Sequence, residues 1–111
     1  MDKNYISALQ DTKDSIEKKL YFIEKSIKEF SSANSSSKQK ILSRIKSDFI
    51  NIKTDLNLMK NDTICLTQSE NQKIWKEKYS NLKSQKEKLE NKIEQIQKGG
   101  MNNEDNEEDY M

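Results

Sequence analysis

The sequence predicts an all-α protein, an antiparallel up-down-up three-helix bundle with a disordered acidic C-terminal tail. Three observations predict it. Apolar residues recur every seven positions in three separate stretches; two short breaks divide the stretches; and the only glycines, Gly99 and Gly100, follow the last apolar turn of the third. Spacings of three and four mark one face of a helix, whereas a strand needs a period of two. The chain has no proline, so nothing inside a stretch removes a donor from the helical ladder.

The first helix is expected over residues 3–31. Ile6, Leu20 and Ile27 take one core position of its heptad and Leu9, Ile16, Ile23 and Phe30 the other, with Lys13 interrupting the stripe. The run from Ser31 to Ser37 is made of short polar side chains that compete for the backbone, which makes it a connector. Ser36 with Gln39 at capping-box spacing, or Ser37 alone, is the expected cap of the second helix, 37–60. There Leu42, Ile45, Phe49, Ile52, Leu56 and Met59 form an unbroken stripe. A second connector spans Asn61 to Leu66, and Thr67 with Glu70 has capping-box spacing for a third helix, 68–98. Its stripe is Trp75, Tyr79, Leu82, Leu89, Ile93 and Ile96, with Lys86 between Leu82 and Leu89. The two glycines suit a left-handed C-cap.

Helices of this length are each about 40 Å long, and short connectors make neighbours antiparallel. Three apolar stripes suffice to close one core, so residues 1–98 are read as a single monomeric bundle. Lys13 and Lys86 replace apolar residues in the stripes. Their aliphatic stems can reach out of the bundle edge to keep the ammonium in water, or can mark a groove opened for a partner helix. Trp75 stands at a core slot and is read as packing rather than as a surface anchor.

Charge is divided unevenly. Residues 1–98 carry 20 basic and 14 acidic side chains, a net of +6, while residues 99–111 carry five acids and no base, a net of −5. The tail has too little apolar content to fold by itself and reads as a linker or an end that aids solubility. Lys38, Lys40, Arg44 and Lys46 make the start of the second helix the most basic surface and the candidate partner-binding surface. Further lysines stand along the third helix, but acids lie four residues away in Lys73/Glu77, Lys83/Glu87, Lys86/Glu90 and Glu94/Lys98, as on a solvated helix. With one arginine and no aromatic residues interleaved with the basic ones, no nucleic-acid partner is expected.

The inventory argues against an enzyme. Histidine is absent, and with it the commonest general base and metal ligand. The lone Cys65 cannot form an intramolecular disulfide or a cysteine-rich zinc site, and between Ile64 and Leu66 it reads as a small buried hydrophobe. No glycine-rich phosphate loop occurs, and the carboxylates stand at salt-bridge spacing. No catalytic, cofactor-binding or metal residue is therefore assigned. Neither an apolar leader nor an apolar run of eighteen residues is present, so a cytoplasmic chain without a membrane span is expected.

The segment from Lys38 to Phe49, continuing through Asp55-Leu56-Asn57-Leu58-Met59, resembles the second helix of the amino-terminal domain in the vesicle-transport v-SNARE family, the Qb-SNAREs, and of related syntaxin-type domains. It starts basic after a polar loop, keeps apolar residues at Ile41, Leu42, Ile45, Phe49 and Leu56, and ends in a methionine. Trp75 through Leu89, with Lys78-Tyr79 and Lys88-Leu89, resembles the third helix; the first matches in length and apolar rhythm. The resemblance covers about residues 3–98. It implies a cytosolic three-helix bundle that recruits trafficking adaptors or regulates SNARE pairing on endosomal or Golgi membranes. No SNARE motif or anchor follows residue 98, so it further implies a fragment ending in a linker or a protein without fusion machinery. The competing reading is a stand-alone helical scaffold or chaperone subunit, such as a tubulin-cofactor-like bundle or one component of a coiled-coil complex.

Overall fold

The fold was obtained as a computed structural model and is described for residues 2–105, with side chains for residues 2–98. It consists of α1 (Lys3–Ser32), α2 (Ser35–Ile64) and α3 (Ser69–Asp105). Cross-helix pairs give their directions. Ser15 and Lys19 of α1 meet Asp55 of α2, and Ser26 and Glu29 meet Arg44, so numbers rise on one helix as they fall on the other. Asp2 meets Thr67, Gln68 and Asn71, which sets the starts of α1 and α3 side by side. The bundle therefore runs up, down, up.

Two residues suffice for the first reversal. Ala33 and Asn34 both adopt extended backbone, and Asn34 Oδ1 accepts the Ser37 amide at 2.9 Å. Neither Ser36 nor Ser37 is the cap, and α2 begins at Ser35. Asparagine at this position satisfies one of the amides that a helix start leaves without a partner. At its other end α2 runs four residues beyond Lys60, because Thr63 turns its hydroxyl back onto the Met59 carbonyl at 2.8 Å and is itself buried. A buried threonine satisfied within the helix gives no reason to stop there.

The core is one cluster fed by all three helices. Its most enclosed large side chains, Leu9, Ile16, Ile23, Ile45, Ile52 and Met59, all belong to α1 and α2. Each such residue contributes about 1.5–3 kcal/mol relative to an exposed one. Trp75, Leu82, Leu89 and Ile93 of α3 cover this pair from one side, with Trp75 in the core as the stripe requires. Leu66, expected as part of a connector, is buried beneath them.

Two stripes rotate as they proceed. Leu42 and Phe49 are only half-buried while Ile41 is buried, and Ile96 is half-buried while Trp75 is enclosed. A straight helix drifts about 20° per heptad against a seven-residue repeat. Residues seven apart therefore cannot all face the centre of a bundle with little supercoil. At Lys13 and Lys86 the stems lie largely against the bundle, and the ammonium groups reach Glu17 and Glu90 at 3.1 and 3.0 Å.

The glycines do not end α3. Its backbone continues through Gly99 and Gly100 to Asp105, without the expected C-cap. The expectation of a disordered tail over 99–111 falls partly outside the described residues, wholly so for 106–111.

Candidate interaction surfaces

The four basic residues at the start of α2 do not form one face. At 100° per residue, Lys40 and Lys46 point well apart. Lys38 sits 5.2 Å over the Phe30 ring, a contact that closes the first turn of the bundle. Arg44 is turned toward α1, where it donates to Ser26 Oγ at 3.1 Å and to Glu29 at 3.2 Å. That leaves Lys40 and Lys46 exposed and without a described partner.

Asp2 is a residue that sequence reasoning missed. It occupies the N-cap position of α1 but makes no side-chain bond to that helix. Its carboxylate instead accepts from the Thr67 amide at 2.9 Å, the Thr67 hydroxyl at 2.7 Å, the Gln68 amide at 3.1 Å and Asn71 Nδ2 at 3.0 Å. The start of α3 is thus held by the side chain of the residue that precedes α1, and the Thr67 hydroxyl donates to Asp2 instead of serving a Thr67/Glu70 capping box. These donors, the Thr67 amide foremost and then the Asn71 side chain, hold the Asp2 carboxyl well below the usual carboxylate range. The positive end of α3 favours the same charge. Gln72 completes this end by donating from its side chain to the Leu66 carbonyl.

Cys65 is exposed rather than buried, because α2 carries it one residue past Ile64 onto the outer side of the connector. Its side chain pushes the phenol of nearby Tyr5 above the ordinary value, chiefly by hydrogen bonding.

Of the four acid–lysine pairs expected along α3, Lys86–Glu90 and Lys98–Glu94 form, at 3.0 and 3.7 Å. Lys73 and Lys83 are in no ion pair among the described residues. This leaves the groove between α2 and α3 basic. It holds a cavity of about 420 Å³ lined by Lys60, Thr63, Ile64, Lys76, Tyr79 and Ser80. A neighbouring cavity of about 340 Å³ shares Tyr79 and continues along Lys53, Leu56, Asn57, Lys83 and Lys86 to Glu87 and Glu90.

No known family, curated protein or solved structure matches the chain. The described residues contain no group of three or more cysteine and acidic side chains placed to hold a metal ion, and none of their helices is long and apolar enough to cross a membrane.

Proposed function

We propose that the chain is a non-catalytic protein-interaction module, of the kind that regulates SNARE pairing or recruits adaptors in endosomal and Golgi vesicle transport. What carries the reading is the second helix. Of the apolar residues that carry its resemblance to Qb-SNARE amino-terminal domains, α2 buries Ile41, Ile45, Leu56 and Met59 and half-buries Leu42 and Phe49. The polar and basic residues between them remain outside. Recognition by such a bundle uses helix faces and the grooves between them, which suits a surface carrying Tyr21, Phe22, Ile50 and Ile64 exposed among lysines.

The test is affinity capture from lysate of the source cells with the full chain as bait. Recovery of trafficking adaptors or SNAREs supports the reading. Recovery of tubulin or of an unrelated coiled-coil complex overturns it in favour of a scaffold or chaperone subunit.

A further inference from the structure

We propose that the face shared by α2 and α3 docks on an anionic phospholipid surface through lysines aligned along both helices. This goes beyond the reading of the chain as a protein-interaction module and does not depend on it.

Charge is sorted by side along α2. Lys46, Lys53 and Lys60 stand seven residues apart, as do Asp48, Asp55 and Asp62, so each set forms one line with steps of about 10 Å. The acids are on the α1 side: Asp48 lines a cavity with Phe22 and Lys25, Asp55 pairs with Lys19, and the charge of Asp62 acts on Tyr5. The lysines are left on the α3 side. There α3 meets them with lysine and not with acid, since Lys76 lines the same cavity as Lys60, and Lys83 the same cavity as Lys53. All five lysines are exposed, and none is in an ion pair among the described residues.

Like charges facing one another across a groove repel and do nothing for the isolated fold. An anionic surface laid over them turns that repulsion into attraction. The nearest acids do not neutralise the lines. Trp75 is buried and Lys76 is turned to the groove, so Glu77, about 100° further round the helix, points away from it. Glu87 and Glu90 lie toward the Lys53 end, and Glu90 is held by Lys86. The backbone of α3 carries Glu104 and Asp105 about 30 Å beyond Lys83, several times the screening length at physiological salt.

The residue type points to a bilayer. Both lines are lysine without arginine, and an ammonium is a hydrated point charge on a flexible stem, lacking the fork that fixes a carboxylate or phosphate in one geometry. Such lines suit a leaflet whose charges move laterally and impose no register. A folded partner or a nucleic acid is met instead by arginine and aromatic anchors. Ile64, 63% exposed, follows Lys60 by one turn and lines the cavity that Lys60 and Lys76 share. It is an apolar side chain that a headgroup layer can take in beside the lysines.

The test is flotation of the full chain with vesicles of equal parts phosphatidylserine and phosphatidylcholine, against vesicles of phosphatidylcholine alone. Binding is expected to the first only, and high salt should abolish it. Lys60→Gln with Lys76→Gln should weaken it on the order of 25-fold, about fivefold for each lysine. Lys18→Gln with Lys28→Gln, on exposed positions of α1, should leave it little changed, both variants keeping the parent's circular dichroism. A spin-labelled lipid in anionic nanodiscs should broaden the amides of residues 53–64 and 76–83 before those of α1. Absence of binding, equal binding to the two vesicles, equal loss in the two variants, or broadening centred on α1 would overturn the proposal. So would tighter binding to a glutamate-rich peptide or to RNA than to the vesicles, or displacement by soluble glycerophosphoserine as effective as by lipid. Capture of adaptors without vesicle binding would discard this surface and keep the module, whereas vesicle binding without such capture would do the reverse.

Discussion

The α1–α2 hairpin and α3 are held in different ways. Along the hairpin, polar ties recur at intervals: Lys19 with Asp55 at 2.6 Å, Ser15 with the same carboxylate, and Arg44 with Ser26 and Glu29. The described ion pairs of α3 are all internal to it, and its polar link to the hairpin is concentrated at its start, on Asp2 and on the Leu66 carbonyl. Between residues 73 and 98, no hydrogen bond or ion pair among the described residues ties it to the hairpin, and it adheres through apolar side chains. The hairpin also owns the most enclosed core residues. The difference teaches that α3 behaves as a cover pinned at one end, whose distal half has the least holding it.

The sharpest contrast is in the core. Ile52→Ala, at a fully enclosed site of the hairpin, should lower stability by about 2–5 kcal/mol in urea unfolding. Leu89→Ala, 9% exposed on α3, should fall at the bottom of that range. Equal losses would show that α3 is packed as tightly as its neighbours.

Next in size is the pin. Asp2→Asn keeps the shape but replaces one acceptor oxygen with a donor, setting it against either the amide and hydroxyl of Thr67 or the donors of Gln68 and Asn71, and should lower stability at neutral pH. Because the folded pKa of Asp2 is depressed, its contribution is fully present above the ordinary value of 3.8 and is lost as pH falls below it. The variant should therefore differ from the parent at pH 7 and converge on it in acid. An undiminished gap at pH 2 would mean that the charge of Asp2 is not what holds α3.

Smaller still is the cap of α2, where Asn34→Ala should cost about 1 kcal/mol in thermal or urea unfolding. A change at Ser36 or Ser37 should cost less. Last comes the Lys19–Asp55 pair, partly exposed on both sides. A double-mutant cycle should give a coupling below about 1 kcal/mol, and the more exposed Arg44–Glu29 pair less again.

Much of this architecture was legible in the sequence, because helical periodicity is a local property. Three helices, their order, the burial of Trp75 and the outward reach of Lys13 and Lys86 follow from spacing alone. Helix ends were less legible. The connectors were read as longer than they are, since serine and asparagine runs are compatible with a helix once one residue, here Asn34, supplies the cap. The buried Leu66 and Thr63 had the same cause. Least legible was the Asp2 cap, which joins residues some 65 positions apart. An aspartate before a helix normally serves its own helix, and only the side-by-side placement of the two helix starts redirects it. The basic surface at Lys38, Lys40, Arg44 and Lys46 was read from composition. Composition does not tell that two of these four are turned to α1, nor that Lys53, Lys60, Lys76 and Lys83 line the groove between α2 and α3.

Native-state amide hydrogen exchange of the full chain is the most direct measurement of the contrast between hairpin and cover. Amides of α3 beyond residue 72 should exchange through an opening of lower free energy than those around Ile16, Ile45 and Ile52, and Asp2→Asn should lower that opening further while leaving the hairpin little changed. A single opening free energy shared by all three helices, shifted uniformly by the substitution, would contradict it.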